Sequence, residues 1–252
     1  MCTVVLLRRP GHDWPLLLAA NRDEMRDRPS RPPGRHWPDR PEIVAGLDEL
    51  AGGSWLGLND HGVVAAALNR RNSLGPAPGC RSRGELVLDA LDHADAADAA
   101  EALAALDAHA FRPFNLIVAD DRDAYWLSGR GDAGPRRPAL APVPAGLSML
   151  TAYDLDDRAD PRIARFHPQW TAAAVPDPAS DAWTAWETLL ARRDDGGDPR
   201  AAMTVALATG FATVSSALIA LPNGASPHPV APVFRVAEDG ALAGNWRRVA
   251  LT

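Results

Sequence analysis

The chain has 252 residues, 46% of them hydrophobic and 23% charged, with a formal net charge of −6. This is ordinary globular composition with enough chain for a sizeable core, and the acidic balance excludes the basic footprint that nucleic-acid binding uses. Two cysteines, Cys2 and Cys80, are too few for a disulfide framework and lack metal-ligand spacing, which implies a reducing compartment.

The N-terminus reads as lacking a signal peptide, because the apolar stretch 4–7 is short and Arg8-Arg9 follow it. No apolar run approaches the ~18 residues of a membrane span. A single soluble, cytoplasmic domain over residues 1–252 is therefore expected, with no nucleic-acid partner; composition says nothing of oligomeric state.

Residues 2–7 read as a short buried strand, and 14–21 as its return across a Pro10-Gly11-His12-Asp13 turn. The apolar run 15–20 has the length of a strand buried on both faces, yet it leads into Asn21-Arg22-Asp23-Glu24 with no turn residue between. Strand alternation sends Asn21 and Asp23 one way, Arg22 and Glu24 the other. An amide and charged groups at the end of a buried strand are costly unless they pair or do chemistry. A hairpin brings residues 21–23 back beside Cys2. Free cysteine is commonly a small buried hydrophobe. At position two, however, a small residue permits removal of Met1, and Cys2 then carries a thiol and an amine that can act as its base. That position favours the nucleophile, with Arg22 nearby to favour the thiolate.

Residues 25–41, dense in Arg and Pro, read as an ordered loop packed by His36-Trp37. Strands follow at 43–46, 54–58 and 63–69, the last two joined by the Asn59-Asp60-His61-Gly62 turn. Ser82-Arg83-Gly84-Glu85 is a capping box opening a helix through Leu86, Leu88 and Leu91, and Asp95 caps an Ala-rich second helix. Residues 114–119 and 125–128 pair about a turn at 120–123. The Pro-rich stretch 131–145 has little pattern, and 147–153 reads as a strand. Helices are expected at 161–170, with proline in the first turn, at 181–192 and at 199–207. A meander at 214–221, 233–236 and 246–251 completes the chain. Strands, then helices, then strands again, with short antiparallel connections, suit an α+β fold of two helical layers flanking two stacked sheets.

Several patterns are set aside. Gly129-Arg130-Gly131-Asp132-Ala133-Gly134 spells a dinucleotide loop, but Pro135-Arg136-Arg137-Pro138 follows where a helix is required. Asp154, Asp156, Asp157 and Asp160 lack the glycine and glutamate of a calcium loop, and the seven histidines show no ligand spacing. Trp183, Trp186, Leu189 and Leu190 form a helical stripe that reads as core, although eight tryptophans also permit a wide apolar pocket.

Met1-Cys2, Asn21-Arg22-Asp23-Glu24, Arg28-Pro29, Ala45-Gly46-Leu47-Asp48, Gly52-Gly53-Ser54-Trp55-Leu56-Gly57 and Phe114-Asn115-Leu116-Ile117 together resemble the NRDE family of Transport and Golgi organisation proteins. The resemblance implies an αββα fold of the N-terminal-nucleophile (Ntn) hydrolase type, akin to bile-salt hydrolases and penicillin acylases. It implies hydrolysis of linear amide C–N bonds by Cys2, with Asp23 holding the α-amine and Asn21 matching the motif asparagine. The arginine of the hydrolase pattern falls at Ala20; Arg22 either offers the same charge from a neighbouring position or pairs structurally with Glu24. Asn69 matches an asparagine that donates to an oxyanion, or is a strand-end residue capping a turn. Glu24 reads as structural. Met149 stands where the hydrolases carry an asparagine, and Val214 where an arginine is common. No cofactor or metal is required. The alternative is a weakly catalytic or non-catalytic carrier, since eukaryotic members are linked to haem handling and lipid metabolism. The partner is a small molecule either way: an amide, haem or an acyl compound.

Overall fold

The computed structural model describes residues 2–251 except 195, 228 and 229. In chain order the strands are β1 (Thr3–Arg8), β2 (Leu16–Met25), β3 (Ser30–Gly34), β4 (Ile43–Asp48), β5 (Leu56–Asn59), β6 (Val64–Asn69), β7 (Phe114–Ala119), β8 (Ala124–Gly129), β9 (Ala139–Pro142), β10 (Gly146–Leu150), β11 (Phe211–Leu221), β12 (Val233–Glu238) and β13 (Trp246–Arg248). The helices are α1 (Arg83–Leu91), α2 (Ala96–Ala104), α3 (Pro161–Ala172) and α4 (Thr184–Leu190). The contacts of the chain gather into two compact units, Met1–Arg28 with Ala145–Val249, and Pro29–Pro144 with Ala250–Thr252.

The first unit is an antiparallel sheet, β10-β1-β2-β11-β12-β13, with α3 and α4 on one face. β2 lies between β1 and β11, and its first eight residues, Leu16 to Asp23, are buried. Alternation sends Leu17 and Ala19 of β2, Val5 of β1, Met149 of β10 and Leu218 of β11 to the helix face, where Ile163, Phe166, Trp170, Trp183 and Trp186 cover them. Trp170 and Trp186 meet edge-on, ring centres 5.2 Å apart. The tryptophan stripe is therefore core, as its spacing indicates.

The second unit is the antiparallel sheet β3-β4-β5-β6-β7-β8-β9 with α1 and α2 packed on it. The capping box is present at Ser82 and Glu85, and Asp95 accepts the Asp98 N–H at 2.9 Å to start α2. Ile43, Ala45, Ala65 and Leu116 of the sheet bury against Leu86, Val87, Leu91 and Leu103 of the helices.

Three local expectations are corrected. Residues 30–34 form an edge strand and not a loop; Pro32 and Pro33 offer no N–H, and the β3–β4 register breaks between Arg31 and Gly34. The helix expected over 199–207 is a single 3-10 turn, Pro199–Ala201. Its next backbone groups bond elsewhere: the Met203 carbonyl accepts from Asn21 and the Thr204 N–H donates to the Arg192 carbonyl. β2 does not stop at Asn21 but runs to Met25, because β11 pairs with it along the whole polar tetrapeptide.

Candidate active site

β1 and β2 pair with Thr3 opposite Asn21, so Cys2, the residue before β1, lies at the Asn21-Arg22-Asp23 end of the hairpin. The half-buried Cys2 thiol lies 3.7 Å from the Asp23 carbonyl oxygen, to which it donates. The hairpin thus brings the two ends of the motif together as the sequence requires. Asn21 and Asp23 face α3 and α4, and Arg22 leaves by the opposite face.

The Asp23 carboxylate accepts from donors on two elements, β11 and α3. Its Oδ1 accepts from Thr213 Oγ1 of β11 at 2.6 Å, and its Oδ2 from Arg162 Nη1 of α3 at 3.2 Å. The Thr213 hydroxyl itself accepts from the Val205 N–H at 2.9 Å, which leaves its proton for Asp23. The Arg162 and Asp23 side chains are 1% and 0% exposed, so this is an ion pair fully withdrawn from water. The same Nη1 donates to Thr3 Oγ1 at 2.6 Å, and Nη2 to the Arg200 carbonyl at 2.7 Å. Arg162 is placed by the start of its helix: Asp160 is the N-cap, accepting from the Arg162 N–H at 2.7 Å, and Pro161 occupies the first helical position.

Asn21 is equally fixed. Its Nδ2 donates to the carbonyls of Leu190 at 3.0 Å and Met203 at 2.8 Å, and its Oδ1 accepts from Ser216 Oγ at 2.5 Å. Two carbonyl acceptors set the amide orientation. This ties β2 to the end of α4 and to β11. Arg22 is buried opposite Ser215. Glu24 accepts from the Met25 N–H at 2.8 Å and pairs with Arg28 at 3.8 Å, in keeping with a structural role.

Burial pushes the Cys2 thiol up from its ordinary value and the Asp23 carboxylate pushes it further, while Arg22 acts in the opposite sense. Of the two departures, Met149 is fully buried in the helix-side core opposite Val5 of β1. Val214 is the bulged residue of β11, between Thr213 and Ser215 where the register with β2 shifts. Asn69 lies in the second unit, half-buried at the end of β6 and opposite Phe114. Beside it Asn115 Oδ1 accepts from Arg70 Nη1 at 2.6 Å and Trp126 Nε1 at 3.2 Å, which gives the Phe114-Asn115-Leu116-Ile117 motif a structural use.

Arg162, Thr213, Ser216 and Thr3 are the site residues that sequence reasoning missed. For Arg162 a signal was present: it sits four residues before Phe166 and eight before Trp170, on the apolar stripe of its helix, where a cation has no place without a buried partner. The hydroxyls carry no such mark. Among the described residues no group of three or more His, Cys, Asp or Glu is placed to hold a metal ion, and no helix is long and apolar enough to cross a membrane.

A family profile described as Transport and Golgi organisation 2 matches residues 1–163. The chain belongs to that family. A curated member, the Transport and Golgi organization protein 2 homolog of Bos taurus, is 37% identical over 149 residues, covering 53% of this chain and 50% of that protein. The Homo sapiens homolog is 36% identical over 143 residues, with 53% and 50% covered. The chain spans about half the length of the curated relatives it matches. Among solved structures, penicillin V acylase from Agrobacterium tumefaciens is similar with a TM-score of 0.53 and 13% identity, over 94% of this chain and 83% of that one. The Caenorhabditis elegans ortholog of N-acylethanolamine-hydrolyzing acid amidase gives 0.53 and 14%, over 86% and 92%. A variant of the conjugated bile acid hydrolase from Clostridium perfringens gives 0.52 and 12%, over 94% and 89%. This likeness shows the fold: α+β, with two antiparallel sheets and their helices making up the αββα Ntn-hydrolase class.

Proposed function

We propose that this family member is a cysteine-type Ntn amidohydrolase acting on a linear acyl amide. The observation that carries the reading is the pairing of the Cys2 thiol with the backbone of Asp23, whose carboxylate is fixed by buried donors. Removal of Met1, which lies outside the described residues, gives Cys2 a free α-amine. That amine takes the thiol proton, and the thiolate sulfur bonds to the amide carbon. The tetrahedral intermediate collapses as the C–N bond breaks and the amine leaves with the proton. Water then hydrolyses the thioester, returning the thiol. Asp23 holds the amine, Arg22 favours the thiolate, and Asn21 locks the strand that carries both. Asn69 enters from its sequence match alone, as the oxyanion donor.

Turnover is expected to be slow. Met149 and Val214 are apolar where the hydrolases carry donors, and each missing donor costs ~3 kcal/mol, or ~100-fold in rate. The names of the similar structures, an acylase, an amidase and a bile acid hydrolase, support an acyl amide substrate. The test joins intact mass, labelling by an acylating cysteine probe, and amidase assays on penicillin V and conjugated bile salts with Cys2→Ala as control. The expected result is a mass beginning at Cys2 and labelling lost in Cys2→Ala. A mass that retains Met1 after expression in a host competent for its removal leaves the mechanism without a base.

A second reading is a non-catalytic carrier of haem or an acyl compound; burial and then the Asp23 charge raise the Cys2 thiol, which opposes the thiolate that turnover uses. Haemin titration followed by absorbance separates the two: tight binding without turnover selects the carrier.

A further inference from the structure

We propose that Arg162 is a positioning residue of the Cys2 site, holding the Asp23 carboxylate and the strand that carries Cys2 with one guanidinium. The proposal rests on reading Cys2 as the reactive residue. Nη1 donates both to Thr3, the neighbour of Cys2 on β1, and to Asp23, on β2 beside it. Nη2 is fixed on the Arg200 carbonyl, so β1, β2 and the 3-10 turn orient one planar group from three sides. The capping of α3 by Asp160 sets where that group begins.

A buried ion pair is a weak source of stability, because apolar residues of the same volume do as well. What the pair supplies, and apolar packing does not, is a carboxylate of fixed position and balanced charge. Burial and then Asp23 raise the Cys2 thiol, while the amino terminus and Arg22 lower it; Arg162 joins the site through its bond to the Asp23 carboxylate. Around Asp23, α3 presents Arg162, with Asp160 bonded to the Arg162 backbone, β11 presents the Thr213 hydroxyl, and β1 the Thr3 hydroxyl bonded to Arg162.

The test uses the full chain with Cys80→Ser, which leaves Cys2 as the single thiol. The rate of alkylation by iodoacetamide is followed against pH by intact mass, and folding is checked by thermal melts. Arg162→Met removes the buried cation bonded to Asp23, so the midpoint is expected to move up by about one pH unit, or ~10-fold in rate at neutral pH. Arg162→Lys keeps the charge without the fork and is expected to recover about half of that shift. In an Asp23→Asn background the Arg162→Met shift is expected to fall to about a third or less. A folded Arg162→Met protein whose midpoint moves by less than about 0.3 unit overturns the proposal. So does a shift of equal size in the Asp23→Asn background. Should Arg162→Met fail to fold, the Arg162→Lys midpoint decides, an unmoved value overturning the proposal. Amide turnover is assayed alongside on the parent. A shifted midpoint with no turnover sinks the hydrolase reading alone, and turnover abolished by Cys2→Ala with an unmoved midpoint sinks this proposal alone.

Discussion

Asp23 and Glu24 are consecutive carboxylates on β2 whose side chains leave the strand on opposite faces. Asp23 meets Arg162 and Thr213 in a dry interior; Glu24 meets Arg28 near the surface. Asp23→Asn leaves the Arg162 cation buried without its counter-charge and is expected to cost about 3–5 kcal/mol in denaturant unfolding. Glu24→Gln should change stability by less than about 1 kcal/mol. Equal losses in the two variants would contradict the facing of the strand. A second prediction concerns Cys2. Burial and then Asp23 raise its thiol, so folding favours the protonated form. The stability this gives is complete below the ordinary thiol value of 9.0 and is lost as pH rises through the higher folded value. Chemical denaturation between pH 8 and pH 11 should therefore fall more steeply for the parent than for Cys2→Ser.

The glycines of the two glycine-bearing motifs in the second unit are explained at the scale of elements. A Cβ on Gly46 would lie 2.3 Å from the Trp55 ring, and one on Gly57 would lie 2.5 Å from the Ala45 Cβ. Gly53 is the tightest against backbone: its Cβ would fall 2.5 Å from the Gly84 carbonyl carbon, where the loop before β5 crosses the start of α1. There the Ser54 N–H donates to the Gly84 carbonyl at 3.1 Å. Backbone cannot swing aside as a side chain can, so Gly53→Ala is expected to cost about 1–3 kcal/mol. Gly75 is a contrast, with φ +75° and nothing within 4 Å of its Cβ; Gly75→Ala should cost only the ~1 kcal/mol of a left-handed alanine. Thermal melts of the two variants check the ordering. The failed helix at 199–207 has the same lesson at this scale. Alanine-rich propensity is worth tenths of a kcal/mol per residue, and the buried Asn21 amide claims the Met203 carbonyl instead.

For the whole molecule the profile match to residues 1–163 does not mark an independent folding unit. β2, which carries the NRDE tetrapeptide, is completed by β11, Phe211–Leu221, far beyond that boundary. A chain ending at residue 163 would lose Thr213 and Ser216 from Asp23 and Asn21, and would strip β11 from the edge of β2 and α4 from its apolar face. It is expected to show no cooperative thermal unfolding, whereas the full chain shows one or more sharp transitions. Calorimetry or circular dichroism distinguishes the two, and a cooperative melt of the short chain would refute this account of the sheet.

The sequence by itself determined the αββα class, the hairpin that returns Asn21-Arg22-Asp23-Glu24 to Cys2, both helix caps of the second unit and the tryptophan core. Each of these is written in local period, turn chemistry or motif spacing, which act over a few residues. Tertiary structure alone decided what the motif's polar groups bind. Arg162 is 139 positions from Asp23, Thr213 is 190 away, and Ser216 is 195 from Asn21. A buried carboxylate demands donors without specifying which segment supplies them. That choice is made when β11 and α3 pack on β2, and a lone threonine or serine in a strand carries no advance sign of it.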